Sequence, residues 1–307
     1  MSPKVFIIIL NWNGWSDTLE CLKSLENNDY PNYQVVIVDN GSKEKPESPN
    51  PKIKIIYNQE NLGFSGGNNV GIKYALGNGA DYVLLLNNDT IVDNHFLTKL
   101  VNVAESDKDF GVLGPKIYFN DQKDKIWFAG GQVHLVNNKK HWLYNKGVMR
   151  GCGEVDQGQY DKPDIQETEY ITGCCLLVKK EVVKKIGLMP EEYFVYYEDT
   201  DWSFKARQAG FKCIFVPQSK IWHKGSKSSI EYSLSYIYYH VRNGLLFATR
   251  YAPWYIKPLI HLDVLWRIKK QNIKAVLFPS KRIWVKGTLL GIKDFYFKRF
   301  GKYENWH

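Results

Sequence analysis

The chain has 307 residues, 44% of them hydrophobic and 24% charged, which excludes a disordered or collagen-like polypeptide and suits one large α/β domain with an appendage, or two domains. Lys and Arg outnumber Asp and Glu by 41 to 32, a net charge of +9 that can attract phosphate, nucleic acid or an anionic membrane. Cys21, Cys152, Cys174, Cys175 and Cys213 form neither a CxxC pair nor metal-finger spacing, which excludes a zinc finger and fits a reduced, cytosolic compartment.

No apolar run reaches the roughly 18 residues needed to span a bilayer, and Val5 to Leu10 is too short for a signal segment. That run is predicted as the first buried strand, followed by a helix from about Ser16 or Asp17, a candidate N-cap pair, to about Asn27, with Leu19, Leu22 and Leu25 at helical spacing. Val35 to Val38 is the second strand, which completes a βαβ unit. It ends at Asp39-Asn40-Gly41. Asn-Gly favours a hairpin, but a polar loop with Pro46, Pro49 and Pro51 follows instead of a second strand. Asp39 is then a carboxylate beyond the end of a parallel strand, where open α/β sheets bind ligands, and it suits hydrogen bonds from a base or ribose.

Ile53 to Tyr57 is a third strand. In Asn61 to Gly71, the glycines at 63, 66 and 67 permit close approach of backbone to a ligand, and Ser65 is a candidate cap for a helix running to about Leu76, whose N-terminus favours an anion. Neither GxGxxG nor GxxxxGK[ST] is present, and a flexible loop would have the same composition.

Asp81 to Leu86 is an apolar run without alternation, as in a strand buried on both faces, and it stops at Asn87-Asn88-Asp89. A carboxylate there can hold a hard divalent cation together with substrate phosphates. A turn closing the strand would use the same residues. Asn94 to Ala104 is a predicted helix, and Gly111 to Pro115 a strand and turn. From Ile117 to Glu169 the pattern is irregular, with Gly130-Gly131, Trp127, Phe128, Trp142 and Tyr144, and suggests loops and short strands lining an acceptor site.

Tyr170 to Val178 is predicted as another buried strand, followed by a short helix ending at Gly187. Glu191 to Gly210 ends in a helix stopped by Gly210. Glu198, Asp199 and Asp201 could simply complement that helix's N-terminus. This leaves unexplained the surrounding Tyr193, Phe194, Tyr196, Tyr197 and Trp202, which would offer a sugar face a low-polarity platform and tune a general base. Lys212 to Val216 completes the sheet, and Pro217 opens a loop to His223. A lone His is usually structural, but one after the last strand is a candidate metal ligand. Ser233 to Tyr251 is helical and is cut off by Pro253 and Pro258. Beyond it aromatics alternate with basic residues, so the positive charge is largely C-terminal.

Together, Ile8 to Asn13, Val38 to Ser42, Asn61 to Asn69, Leu86 to Asp89, Tyr197 to Trp202 and Trp222-His223 resemble the inverting family 2 nucleotide-sugar glycosyltransferases, and within them the bacterial rhamnosyltransferase branch. The resemblance covers roughly residues 4 to 228 and continues weakly at Lys286 to Asp294 and Gly301-Lys302. It implies a GT-A fold, with a Rossmann-like, mostly parallel sheet flanked by helices (1–228) and a helical, basic and aromatic C-terminal extension (229–307). It implies a nucleotide-sugar donor held by Asn11, Trp12, Asp39, Gly66, Asn68 and Asn88, and Mn²⁺ or Mg²⁺ on Asp89 and His223. Asp199 is the implied general base. Asn87 stands where the first acid of the DxD motif often lies, which concentrates metal binding on Asp89.

The implied donor is dTDP-L-rhamnose, with a UDP-hexose or UDP-GlcNAc as rivals. The acceptor would be a glycan or lipid-linked glycan in cell-surface polysaccharide synthesis. Nucleic acid is not an expected partner. The C-terminal aromatics and lysines suit peripheral contact with the anionic inner face of the cell membrane, or packing and a homodimer contact. A nucleotidyltransferase or dehydrogenase lacks support at Asn11 to Trp15, where its glycines should lie. A non-catalytic carbohydrate-binding or scaffold protein stays open as the alternative of a different class, since fold does not fix function, though it would have no reason to retain Asp89, Asp199 and His223 together.

Overall fold

The computed structural model describes residues 2–45, 47, 48, 50, 53–134, 146–149, 164–225 and 233–304. Pro46, Pro49, Pro51, Trp142, Tyr144 and Cys152 lie outside the described residues. In chain order the elements are β1 (Val5–Asn11), α1 (Trp15–Leu25), β2 (Tyr33–Asp39), β3 (Lys54–Tyr57), α2 (Gly63–Gly77), β4 (Tyr82–Asn87), β5 (Thr90–Val92), α3 (Phe96–Ser106), β6 (Phe110–Phe119) and β7 (Ile126–Phe128). There follow β8 (Gly131–His134), β9 (Lys146–Met149), β10 (Gln166–Thr168), β11 (Cys175–Lys179), α4 (Lys180–Ile186), α5 (Glu198–Gln208), β12 (Lys212–His223), α6 (Leu234–Tyr251), α7 (Lys257–Leu277) and α8 (Arg282–Tyr296).

Chain contacts divide the protein into two compact units. The first comprises Met1–Gln132, Met149–Glu191 and Asp199–Gly225; the second comprises Val133–Val148, Glu192–Glu198 and Ser226–His307.

The first unit is an α/β fold around one sheet in the order β10, β12, β6, β11, β4, β1, β2, β3, with β5 added to β12 and β7 to β6. The expected parallel half is present, since β1 pairs in parallel with β2 and β4, and β2 with β3. The other half is mixed: β11 runs antiparallel to both β4 and β6, while β12 and β6 are parallel. Strand β1 is buried from Val5 to Ile9, and β4 from Tyr82 to Leu86. Burial on both faces is what removes polar alternation from their sequences.

Several predicted boundaries are corrected. Ser16 and Asp17 are not caps; α1 starts at Trp15, and no side chain caps it. Leu22 and Leu25 are buried as their spacing predicts, whereas Leu19 is exposed and Thr18 and Cys21 take up the buried face. Ser65 is not a cap either, because α2 begins at Gly63 and Ser65 is buried within it. The glycines let α2 lie directly on the sheet: a Cβ at Gly67 would sit 2.4 Å from Leu10 Cδ1, and one at Gly71 2.5 Å from Ile8 Cγ2. Pro115 does not turn the chain but lies within β6. Strand β11 begins at Cys175, not Tyr170, and Tyr170 instead makes an isolated bridge to Gly131. Pro217 opens no loop, because β12 continues to His223. A register shift against β6 between Val216 and Lys220 absorbs the residue that has no N–H.

In the second unit, α6 starts at Ser233, whose side chain accepts a hydrogen bond from Tyr236 N at 3.2 Å. Its core joins Leu245, Ala248, Ala252, Ile256, Ile260, Val264 and Ile292. No helix among the described residues is long and apolar enough to cross a membrane.

Candidate active site

The ends of β1, β2 and β4 lie side by side, with Asn11 opposite Asp39 and Leu10 opposite Asn87. A chain of hydrogen bonds ties these ends together. Asn88 Nδ2 donates to Thr18 Oγ1 at 3.1 Å, Thr18 Oγ1 donates to Asn11 Oδ1 at 2.9 Å, and Asn11 Nδ2 donates to Asp39 Oδ1 at 2.8 Å. Ser42 Oγ donates to the same Asp39 oxygen at 2.5 Å. Asp39 is wholly buried, whereas Trp12 beside it is 47% exposed. Asn88 also donates to Gly14 O, which makes it a clasp between β4 and α1.

Asn40, which the sequence did not single out, is bonded through its whole amide. It donates to Asn61 Oδ1 and Gly63 O, and it accepts from Asn58 Nδ2 and Leu62 N. It fixes the start of α2 beside the end of β2. Gly66 and Asn68 lie inside α2 and are accounted for without a ligand. A Cβ at Gly66 would sit 2.8 Å from Leu62 Cβ, and buried Asn68 donates to Phe64 O at 2.9 Å.

Asp89 follows β4 directly, and β5 then pairs antiparallel with β12 so that Thr90 faces His223. This register brings His223 Nε2 to 3.2 Å from Asp89 Oδ1. The imidazole is buried, packs 4.6 Å from the Trp127 ring, and makes no hydrogen bond through either nitrogen. A buried imidazole without a hydrogen bond, its Nε2 beside a carboxylate, fits a divalent cation, with the remaining coordination sites left for phosphate oxygens and water. No group of three or more His, Cys, Asp or Glu that could hold a metal occurs among the described residues. Among the described His and acidic side chains, Asp89 and His223 are the pair that could hold a cation here.

Asp199 is the second residue of α5. Its Oδ2 accepts from Gly173 N at 2.8 Å, and its Oδ1 accepts from Thr200 N at 2.6 Å and Thr200 Oγ1 at 3.2 Å. Burial pushes this carboxyl above the ordinary range, against the opposing pull of those donors. Gly173 must be small, since a Cβ there would lie 2.8 Å from the Phe64 ring and 3.6 Å from Asp199 Cβ. The buried Cys174 feels both carboxylates: desolvation mainly raises its thiol, and Asp89 and Asp199 both add to the effect. The Gly173–Cys174 turn ties the two regions together: Gly173 N donates to Asp199 Oδ2, and Cys174 O accepts from Asn87 N at 2.9 Å, at the end of β4 and two residues before Asp89.

The predicted aromatic platform divides in two. Tyr193 and Trp202 are core residues, fully buried, with Trp202 Nε1 donating to Gly187 O at 2.9 Å. Phe194, Tyr196 and Tyr197 have φ of +66°, +67° and +75°, a run of left-handed residues that only surrounding bonds can hold. Those bonds come from a pair the sequence reading missed. Asn243 Nδ2 donates to the carbonyls of Tyr193, Val195 and Tyr196 at 2.9, 2.7 and 2.9 Å. The buried Arg242 donates to Glu192 O, Tyr193 O and Gly301 O. An Arg-Asn pair between the aromatic and aliphatic runs of α6 was the available signal.

The family model described as "Glycosyl transferase family 2" matches residues 6–187. A Shigella flexneri protein named dTDP-rhamnosyl transferase RfbF is 26% identical over 95% of this chain and 97% of its own. A Mycobacterium tuberculosis protein named N-acetylglucosaminyl-diphospho-decaprenol L-rhamnosyltransferase is 25% identical over 73% of this chain and 78% of its own. Among solved structures, GalNAc-T7 with UDP, GalNAc and Mn²⁺ superposes with a TM-score of 0.63 at 15% identity, covering 96% of this chain and 57% of that one. That likeness identifies the GT-A fold.

Proposed function

The chain belongs to glycosyl transferase family 2, and on that premise we propose that it moves L-rhamnose from dTDP-L-rhamnose, with inversion, to a glycan or lipid-linked glycan in cell-surface polysaccharide synthesis. The observation that carries this reading is that Asp199 and the end of β4 are both hydrogen-bonded to the Gly173–Cys174 turn, with His223 Nε2 3.2 Å from Asp89 just beyond that strand end. A rhamnosyl donor is supported by the names of the two relatives. We assign residues 1–228 to catalysis and 229–307 to an extension, in a cytoplasmic protein lying against the inner membrane face.

In this mechanism Trp12 and the Asn11–Asp39 pair receive the nucleotide base, while Gly66, Asn68 and Asn88 shape the wall behind it. Asp89 and His223 would hold Mn²⁺ or Mg²⁺, a choice supported by the Mn²⁺ of the GT-A neighbour. The bound cation would supply neutralisation of the departing diphosphate. Asp199 takes the proton of the acceptor hydroxyl as its oxygen attacks the anomeric carbon. The diphosphate leaves from the opposite face with the bonding pair. One bond forms as one breaks, so configuration inverts and no glycosyl-enzyme is needed.

A panel of nucleotide sugars, assayed for binding and hydrolysis with Mn²⁺, tests the donor. Preference for dTDP-L-rhamnose is the expected result. Preference for UDP-glucose or UDP-GlcNAc would replace the rhamnosyl assignment by a hexosyl one within the same family.

A further inference from the structure

We propose that the outward face of α7 docks the protein onto the headgroup region of an anionic lipid bilayer. The inference rests on the second unit alone and is independent of the active-site reading. Helix α7 turns Ile260, Val264 and Gln271 into the core of its unit. A globular helix with one buried face normally carries polar residues on the other. Here Leu259, Leu262, Trp266, Ile273 and Leu277 are 42%, 60%, 55%, 48% and 62% exposed. At 3.6 residues per turn they fall within about 60° of one another, roughly opposite the buried face. The stripe continues beyond both helix ends into Trp254, 82% exposed, and Phe278, 49% exposed.

Charge selects the occupant. Lys269 and Lys270 lie on the two borders of the stripe, each with Nζ 5.9 Å from the Trp266 ring. From Trp254 to Phe297 the only acids are Asp263 and Asp294. Asp263 accepts a hydrogen bond from Arg267 Nε at 2.7 Å, and Asp294 is buried. The face therefore presents aromatic and aliphatic side chains edged by unopposed lysines, the arrangement that rests in a headgroup layer, with apolar groups inward and ammonium groups at the phosphates. A second copy of this chain is a poorer occupant, since a two-fold through the middle of α7 would bring Lys269 and Lys270 of both copies together. No described helix can span the bilayer, so this contact would lie along the surface.

Flotation of the full chain with vesicles of phosphatidylglycerol and phosphatidylcholine, or of phosphatidylcholine alone, tests the proposal. The chain should float with the anionic vesicles at low salt and be released near about 0.5 M salt, where screening is short-ranged. Lys269→Gln/Lys270→Gln should lower partitioning about thirty-fold, the loss expected for two basic residues at such a surface. Leu262→Ser/Trp266→Ser should lower it more than tenfold. Both variants should hydrolyse donor like the parent, which separates failure of this proposal from failure of the catalytic one. Equal flotation with neutral vesicles, or none with either, would overturn it. So would a sedimentation dimer that Leu262→Ser/Trp266→Ser converts to monomer, which would make a second copy the occupant.

Discussion

At the residue scale, the demands on Asp199 conflict. The proposed base must be ionised, yet burial raises this carboxyl, and the Gly173 and Thr200 donors restrain it. A raised pKa means that the ionised form is lost, as pH falls, earlier than for a solvated aspartate at about 3.9. The acid limb of kcat/KM should therefore lie above that value. Asp199→Asn should keep donor affinity within about twofold while turnover falls by about 10² or more, the usual cost of a lost general base. Unchanged turnover would return Asp199 to capping α5. The positions of Asp89 past a strand end and Asp199 at a helix start were legible, because an unalternating apolar run and a glycine stop mark those elements. The roles of Ser16 and Ser65 were not, because a cap depends on where the helix begins, and tertiary packing moved both starts upstream.

At the element scale, a short side chain governs a long segment. Asn243 supplies one amide group to three carbonyls of the segment 193–197 that holds the left-handed residues. Asn243→Ala leaves those carbonyls without this donor and should cost about 1–3 kcal/mol. The segment 193–197 should then become a site of limited proteolysis while the rest of the chain resists. Equal proteolysis of parent and variant would show that the run holds itself. The positive φ values could not be read in advance, because bulky residues give no local reason to adopt them, and the anchor announced itself only as the Arg242-Asn243 pair within α6. The surroundings of the α2 glycines were hidden for a related reason. Composition shows where backbone can approach closely but not what it approaches, and here the neighbours are Leu10 and Ile8. The path of β12 through Pro217 was likewise hidden, since only pairing with β6 shows the bulge that accommodates it.

At the scale of the whole molecule, the parallel half of the sheet was plain in the apolar runs. The direction of β11 was not, because a strand buried on both faces has the same composition whichever way it runs. The described cysteines are all free and buried, and burial pushes the Cys21 and Cys213 thiols up to about 12. The cation site proposed on Asp89 and His223 would make cation and diphosphate binding interdependent, since each would complete the other's coordination. Mn²⁺ and a nucleoside diphosphate together should raise the melting temperature by a few degrees, more than the sum of their separate effects. Asp89→Ala should remove that excess without lowering the melting temperature of the unliganded protein by a comparable amount. A full excess in the variant would place the cation elsewhere.

The bulge in β12 gives one strand two different tolerances to changes in chain length. Between Val216 and Lys220 the strand advances four residues while β6 advances only from Pro115 to Lys116, so this stretch holds slack. A residue lost there can be taken up locally. From Ile221 to His223 the strand is paired residue by residue with both β5 and β6. A single deletion there would shift His223 by one pleat and turn its ring to the opposite face of the sheet. The imidazole beside Asp89 is thus specified by a count of residues as much as by their identity.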